Sequence, residues 1–207
     1  MKAKQLLPAL GLGLALLFAT CGAQAGDGGG GAGSTWTLQQ TGVKLFGITH
    51  GNGLFVAVGE DGTVLTSPDG VRWTRRSSGT DTVLSGVTYA NGLFVAMGWG
   101  GTILTSSDGV SWTVQFSGTD TWLYGVTHGE GLFGEGLFVA VGSKGIIFTS
   151  PDGVSWAARF SGTDAALSGV TYGNGLFVAV GGDGTILTSS DGVRWTRRSS
   201  GTGKNLY

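Results

Sequence analysis

Four aspartates stand 39, 44 and 39 residues apart, at Asp69, Asp108, Asp152 and Asp191. Each sits in a Ser-x-Asp-Gly-x-x-Trp string: Ser67–Trp73, Ser106–Trp112, Ser150–Trp156 and Ser189–Trp195. A carboxylate can act as general acid, nucleophile or cation ligand, but each of those roles needs company. Retaining glycoside hydrolysis needs two carboxyl groups about 5 Å apart on a rigid floor. These aspartates are a whole repeat apart, and Glu60, Glu130 and Glu135 fall in turns. The arginines (Arg72, Arg75, Arg76, Arg159, Arg194, Arg197 and Arg198) all fall in the fourth segment of a repeat, at an expected rim. His50 and His128 share one repeat position, which Tyr89 and Tyr172 fill in the other copies. Two histidines without a Cys or carboxylate cluster fall short of a three- or four-ligand metal site. Interchange of His with Tyr points instead to ring packing. The residues therefore predict no catalytic constellation, no metal and no cofactor.

The elements that carry them are short strands. In the last copy, Leu167–Tyr172 is a β-type run closed by Gly173-Asn174-Gly175, and Leu176–Val180 is closed by Gly181–Gly184. Thr185–Thr188 follows, then the Ser-Ser-Asp-Gly turn, then Val193–Arg198 with apolar and polar residues alternating. Asn-Gly and Asp-Gly tolerate φ > 0 and so suit tight hairpins. No segment carries a 3.6-residue apolar period. Four short antiparallel strands in about 40 residues is the grammar of a β-propeller blade. The expected fold is all-β: a propeller of four-stranded antiparallel blades, with units at about 45–82, 84–121, 123–165 and 167–204. The long middle interval comes from a tandem Gly-Glu-Gly-Leu-Phe, at Gly129–Phe133 and again at Gly134–Phe138.

The repeated string resembles the Asp-box, or bacterial neuraminidase repeat, whose usual form is Ser-x-Asp-x-Gly-x-Thr-Trp. These copies are one residue shorter between aspartate and tryptophan. The resemblance spans roughly Thr35 to Leu206. It implies a motif lying between the third and fourth strands, with structural Ser67, Asp69, Trp73, Ser106, Asp108, Trp112, Ser150, Asp152, Trp156, Ser189, Asp191 and Trp195. Ser and Asp would bond the turn backbone and Trp would pack inside. Asx-turn chemistry leads to the same roles.

The ends of the chain read differently. Lys2 and Lys4 precede an apolar run, Leu6–Ala19, and Ala23-Gln24-Ala25 has the form of a cleavage site, so residues 1–25 are expected to be an export signal. The only cysteine, Cys21, follows Phe18-Ala19-Thr20 as in a bacterial lipobox, which leaves two alternatives: lipidation at Cys21, or cleavage after Ala25 and release. Residues 26–34 form a glycine-rich tether. Of 12 Lys and Arg, two leave with the leader, so 10 face 13 Asp and Glu, and no basic run remains to neutralise phosphates. Nucleic acid is excluded as a partner, and a membrane enters only through a lipid anchor. Trp36–Gly42 matches the fourth-strand string Trp112–Gly118, so residues 35–43 form a fourth strand without a blade of its own. Either the ring closes with four blades and one redundant strand, or it is incomplete; the incomplete ring is the preferred reading. An open end would favour self-association.

Comparison among the copies picks out a different surface. The turn between second and third strands reads Glu60-Asp61, Trp99-Gly100, Ser143-Lys144 and Gly182-Asp183. The connection from fourth to first strand ends in Val83, Trp122, Ala166 and Asn205, and the first strand opens near Phe46, Ser85, Tyr124 and Ser168. In antiparallel blades both loop types emerge on one face. Trp99, Trp122, Tyr124 and Phe46 are thus the candidate contacts for a protein or glycan, amphipathic aromatics being favoured in recognition. Three readings follow: a non-enzymatic exported binding scaffold, a fragment of a sialidase-like carbohydrate-active enzyme, and a structural repeat protein without a ligand.

Overall fold

The computed structural model describes residues 42–131 and 134–207. The expected export signal with Cys21, the expected tether and most of the expected strand at 35–43 lie outside them.

Among the described residues, sixteen strands form four antiparallel sheets, each with its strands in sequence order. The first sheet holds β1 (Leu45–Gly51), β2 (Leu54–Gly59), β3 (Val64–Ser67) and β4 (Thr74–Arg76). The second holds β5 (Leu84–Ala90), β6 (Leu93–Gly98), β7 (Ile103–Ser106) and β8 (Thr113–Gln115). The third holds β9 (Leu123–Glu130), β10 (Gly136–Gly142), β11 (Ile147–Ser150) and β12 (Ala157–Arg159). The fourth holds β13 (Leu167–Gly173), β14 (Leu176–Gly181), β15 (Ile186–Ser189) and β16 (Thr196–Arg198). The hairpin between β1 and β2 turns on Asn52 and Gly53 at φ 49° and 73°, the double positive φ that an Asn-Gly turn supplies. The five extra residues lengthen the β9–β10 hairpin of the third blade, where the Gly131 N–H donates to the Glu135 carbonyl.

The fourth strands are shorter than the alternation of Val193–Arg198 predicts, because β16 begins only at Thr196. The cause is local. Asp191 Oδ1 accepts the N–H groups of Val193 and Arg194 at 2.9 and 2.8 Å, so those residues belong to the turn and not to the ladder.

Between blades the packing is directional and repeats. Val56, Val58 and Val64 of the first blade meet Leu84, Val87, Phe94, Ala96 and Leu104 of the second in one buried cluster. Val95, Met97 and Ile103 meet Leu123, Phe138, Ala140 and Phe148 in the next. Val139, Val141 and Ile147 meet Leu167, Phe177, Ala179 and Leu187 in the third. Burying each such side chain contributes roughly 1.5–3 kcal/mol, so these junctions hold the fold together. First strands line the inner edge, β1 on β5, β5 on β9 and β9 on β13. Among the described residues no buried cluster joins the first blade to the fourth, so the four blades form an open arc.

Candidate functional site

The Ser-x-Asp-Gly-x-x-Trp turns repeat one hydrogen-bond pattern. In the second blade Ser106 Oγ donates to Asp108 Oδ1 at 2.9 Å and accepts the Gly109 N–H at 2.8 Å. Asp108 Oδ1 also accepts the N–H groups of Val110 and Ser111, both at 2.8 Å. Trp112 Nε1 donates to the Gly109 carbonyl at 3.0 Å and its ring packs half-buried on the blade junction. Ser67, Asp69 and Trp73 repeat these bonds, as do Ser150, Asp152 and Trp156, and Ser189, Asp191 and Trp195. Trp156 and Trp195 also pack on blade junctions, whereas Trp73 meets Phe55 of its own blade. Backbone N–H groups at Arg72 and Val71 hold the Asp69 carboxyl well below the usual range, and those of Ser111 and Val110 do so for Asp108. Bonds from Ser155 and Val154 put Asp152 at about 2. Burial pushes Asp191 up, but bonds from Arg194, Val193 and Ser189 outweigh it and leave the group at about 2. A carboxylate so engaged is a turn anchor and a poor proton donor.

The variable loops share one face, and the backbone shows why. After each second strand, the first N–H of the turn donates to the carbonyl just before the first strand of the same blade. The bonds are Glu60 to Lys44 at 2.9 Å, Trp99 to Val83 at 3.0 Å, Ser143 to Trp122 at 2.9 Å and Gly182 to Ala166 at 2.8 Å. In each first strand one residue drops out of the ladder as a β-bulge: Phe46, Ser85, Tyr124 and Ser168. Bulges turn a side chain out of the pleat, which frees this position to vary.

On that face the structure stacks Trp99 against Trp122, with ring centroids 4.4 Å apart and planes within 2°. Trp99 belongs to the second blade and Trp122 to the lead-in of the third, so the pair bridges a blade junction. Trp99 is 39% exposed and Trp122 half-buried. Tyr124 stands two residues on, beside Ser143; burial raises its hydroxyl pKa against the hydrogen bond with Ser143. Phe46 is exposed at the same repeat position two blades away, with Ser85 between the two on the hub. Ser85 Oγ donates to the Leu123 carbonyl at 2.9 Å, tying the second blade to the third next to Trp122 in the chain. The first blade places an ion pair at the corresponding turn, Lys44 Nζ to Glu60 Oε1 at 3.0 Å.

His50 and His128 each lie on the phenylalanine across the hairpin, at 4.6 Å from Phe55 and 4.7 Å from Phe138. Tyr89 and Tyr172 do the same on Phe94 and Phe177. Burial lowers the His128 pKa. Among the described residues no group of three or more His, Cys, Asp or Glu could hold a metal ion. Sequence reasoning passed over Phe116 and Phe160, which the rim leaves 90% and 88% exposed. Their signal was present, since Ser77 and Ser199 fill the same position in the outer blades.

No protein-family model and no curated protein matches the sequence. Solved structures do match. YCF48 from Cyanidioschyzon merolae is similar at TM-score 0.58 and 21% identity, over 76% of this chain and 56% of that one. YCF48 bound to D1 peptide is similar at TM-score 0.59 and 17% identity, over 77% and 56%. The computationally designed Ika4 protein is similar at TM-score 0.60 and 13% identity, over 75% and 96%. This chain therefore spans about 56% of the length of the YCF48 chains. Likeness at these identities concerns the fold, and it agrees with the strand order and junctions above: the chain folds as blades of a β-propeller.

Proposed function

We propose that this chain is an exported, non-enzymatic binding scaffold whose Trp99–Trp122 pair receives a segment of a partner protein. The observation that carries the reading is the stack itself. The repeat requires no tryptophan at either position, yet the two indoles meet in parallel at an accessible blade junction. A rigid aromatic platform gives large contact area at little cost in side-chain entropy. Peptide recognition is preferred because one propeller of similar fold was solved bound to D1 peptide. Export rests on the leader, where Lys2 and Lys4 precede the apolar run Leu6–Ala19.

A displayed random-peptide library and a glycan array, each probed with the chain, test this. Peptides carrying an aromatic or proline anchor are expected to bind. Trp99→Ala and Trp122→Ala should each weaken them by roughly 1–3 kcal/mol, about tenfold or more, with little change in melting temperature. Glycans bound and lost on the same substitutions would replace the peptide by a sugar ring. Binding untouched by both substitutions would move the site elsewhere, and no binding on either array would leave a structural repeat protein.

A further inference from the structure

The arc ends in two unlike faces, and each is one half of a junction that the chain builds three times internally. On the fourth blade, Val178, Val180 and Ile186 occupy the places of Val56, Val58 and Val64, which are buried against the second blade. In the fourth blade they remain half-exposed, and Leu176 beside them is exposed. On the first blade, Leu45 and Ile48 occupy the places of Leu84 and Val87, yet they are 36% and 62% exposed.

Glycines at the hub carry the same series. A Cβ on Gly47 would meet Gly86 Cα at 3.1 Å, one on Gly86 would meet Gly125 Cα at 3.5 Å, and one on Gly125 would meet Gly169 Cα at 3.3 Å. At each of these three glycines a Cβ would sit tightly against the backbone of the next first strand, 3.1–3.3 Å away at its nearest. A Cβ on Gly169 would meet nothing within 4 Å. Its φ is not in the left-handed region, so backbone conformation does not demand glycine. Gly173 repeats the pattern: the sites of Gly51 and Gly129 are filled by Tyr89 and Tyr172 of the next blade, while that of Gly173 is open. The fourth blade is shaped to receive a first strand bearing a glycine and an aromatic ring, and β1 offers Gly47 and His50.

We propose that two copies of this chain join head to tail, the fourth blade of each seating the first blade of the other, to close an eight-bladed ring. Continuity with the three internal junctions names the occupant, because the face missing from the fourth blade is the one that the first blade leaves uncovered. Propellers close with about four to eight blades. The described residues supply four blades that stay open, and two such sets joined end to end make eight, within that range. Both junctions are heterologous and are related by one two-fold axis.

Sedimentation velocity and light scattering on the purified chain at tens of micromolar test the proposal. The expected particle has twice the mass that the same preparation shows under denaturing conditions. A monomer would overturn it, leaving the first blade to the chain's own segment around 35–43 or to a foreign partner. A trimer or an open-ended series would overturn the closed ring. Two substitutions test the polarity: Gly169→Trp, which enters open space in one copy, and Ile48→Asp, on an exposed position. Each alone should be monomeric with an unchanged circular dichroism spectrum. An equimolar mixture should recover a dimer with one intact junction, dissociating at least tenfold more readily than the wild-type particle. If Ile48→Asp remained dimeric by itself, the contact would be fourth blade on fourth blade, and the head-to-tail ring would fall.

Discussion

At the scale of single residues, the four turn aspartates are engaged by their own turns. Their oxygens are taken up by the backbone of the turn, and that engagement is also a source of pH dependence. Asp152 and Asp191 titrate at about 2 when folded, against about 3.9 in an unfolded chain. The unfolded state thus binds more protons between about pH 4 and pH 2, so stability present above pH 4 is lost as the pH falls through that window. Acid unfolding followed by tryptophan fluorescence should show it. Asp191→Asn keeps an acceptor oxygen but no charge; it should cost roughly 1–2 kcal/mol at pH 7 and make the acid limb shallower. An unchanged acid limb would mean that the turn carboxylates do not set it. These turns could be placed from sequence because their bonds span two or three residues. The stacking of Trp99 on Trp122 was beyond it, since contact between residues 23 apart depends on how two blades dock.

Elements tell a similar story of local legibility. Strand order and hairpins follow from Asn-Gly and Asp-Gly turns between short apolar runs, whereas the bulges at Phe46, Ser85, Tyr124 and Ser168 depend on cross-strand register that no local pattern records. One comparison between blades explains a pair of unsatisfied groups. In the second blade Thr102 Oγ1 lies 3.0 Å from Thr82 Oγ1. The equivalent hydroxyls of Thr63 and Thr185 are buried without a hydrogen-bond partner. Where Thr82 stands, the first blade has Val43 and the fourth has Ala165, and neither side chain can hydrogen-bond. Ala165→Thr should therefore restore the pair and raise stability by about 1 kcal/mol, read as a higher denaturant midpoint at constant m. A lower midpoint would show that the site has no room for the added atoms.

For the whole molecule, the fourth-strand string at Trp36–Gly42 with no blade of its own left a closed four-bladed ring and an incomplete one both open, with the incomplete ring preferred. The sequence was silent on the fit between the two ends, because that fit resides in which side of each blade is apolar. We propose that residues 1–25 direct where the arc is delivered, with Cys21 dividing lipid anchoring from release. In a bacterial host, Cys21→Ser should release a lipid-anchored protein from the membrane fraction, while N-terminal sequencing that begins at Gly26 would exclude the anchor. The sameness of the junctions has a further consequence. Among the described residues each buried junction joins successive blades, an aliphatic face of one meeting a leucine and phenylalanine face of the next. Excising one whole unit would bring together two surfaces that already match, so blade number can change in a single recombination step without redesigning a contact. The near-identity of the copies makes such exchange easy at the level of the gene, and the tryptophan pair and the lengthened third hairpin are the marks that keep the middle blades from being interchangeable with the rest.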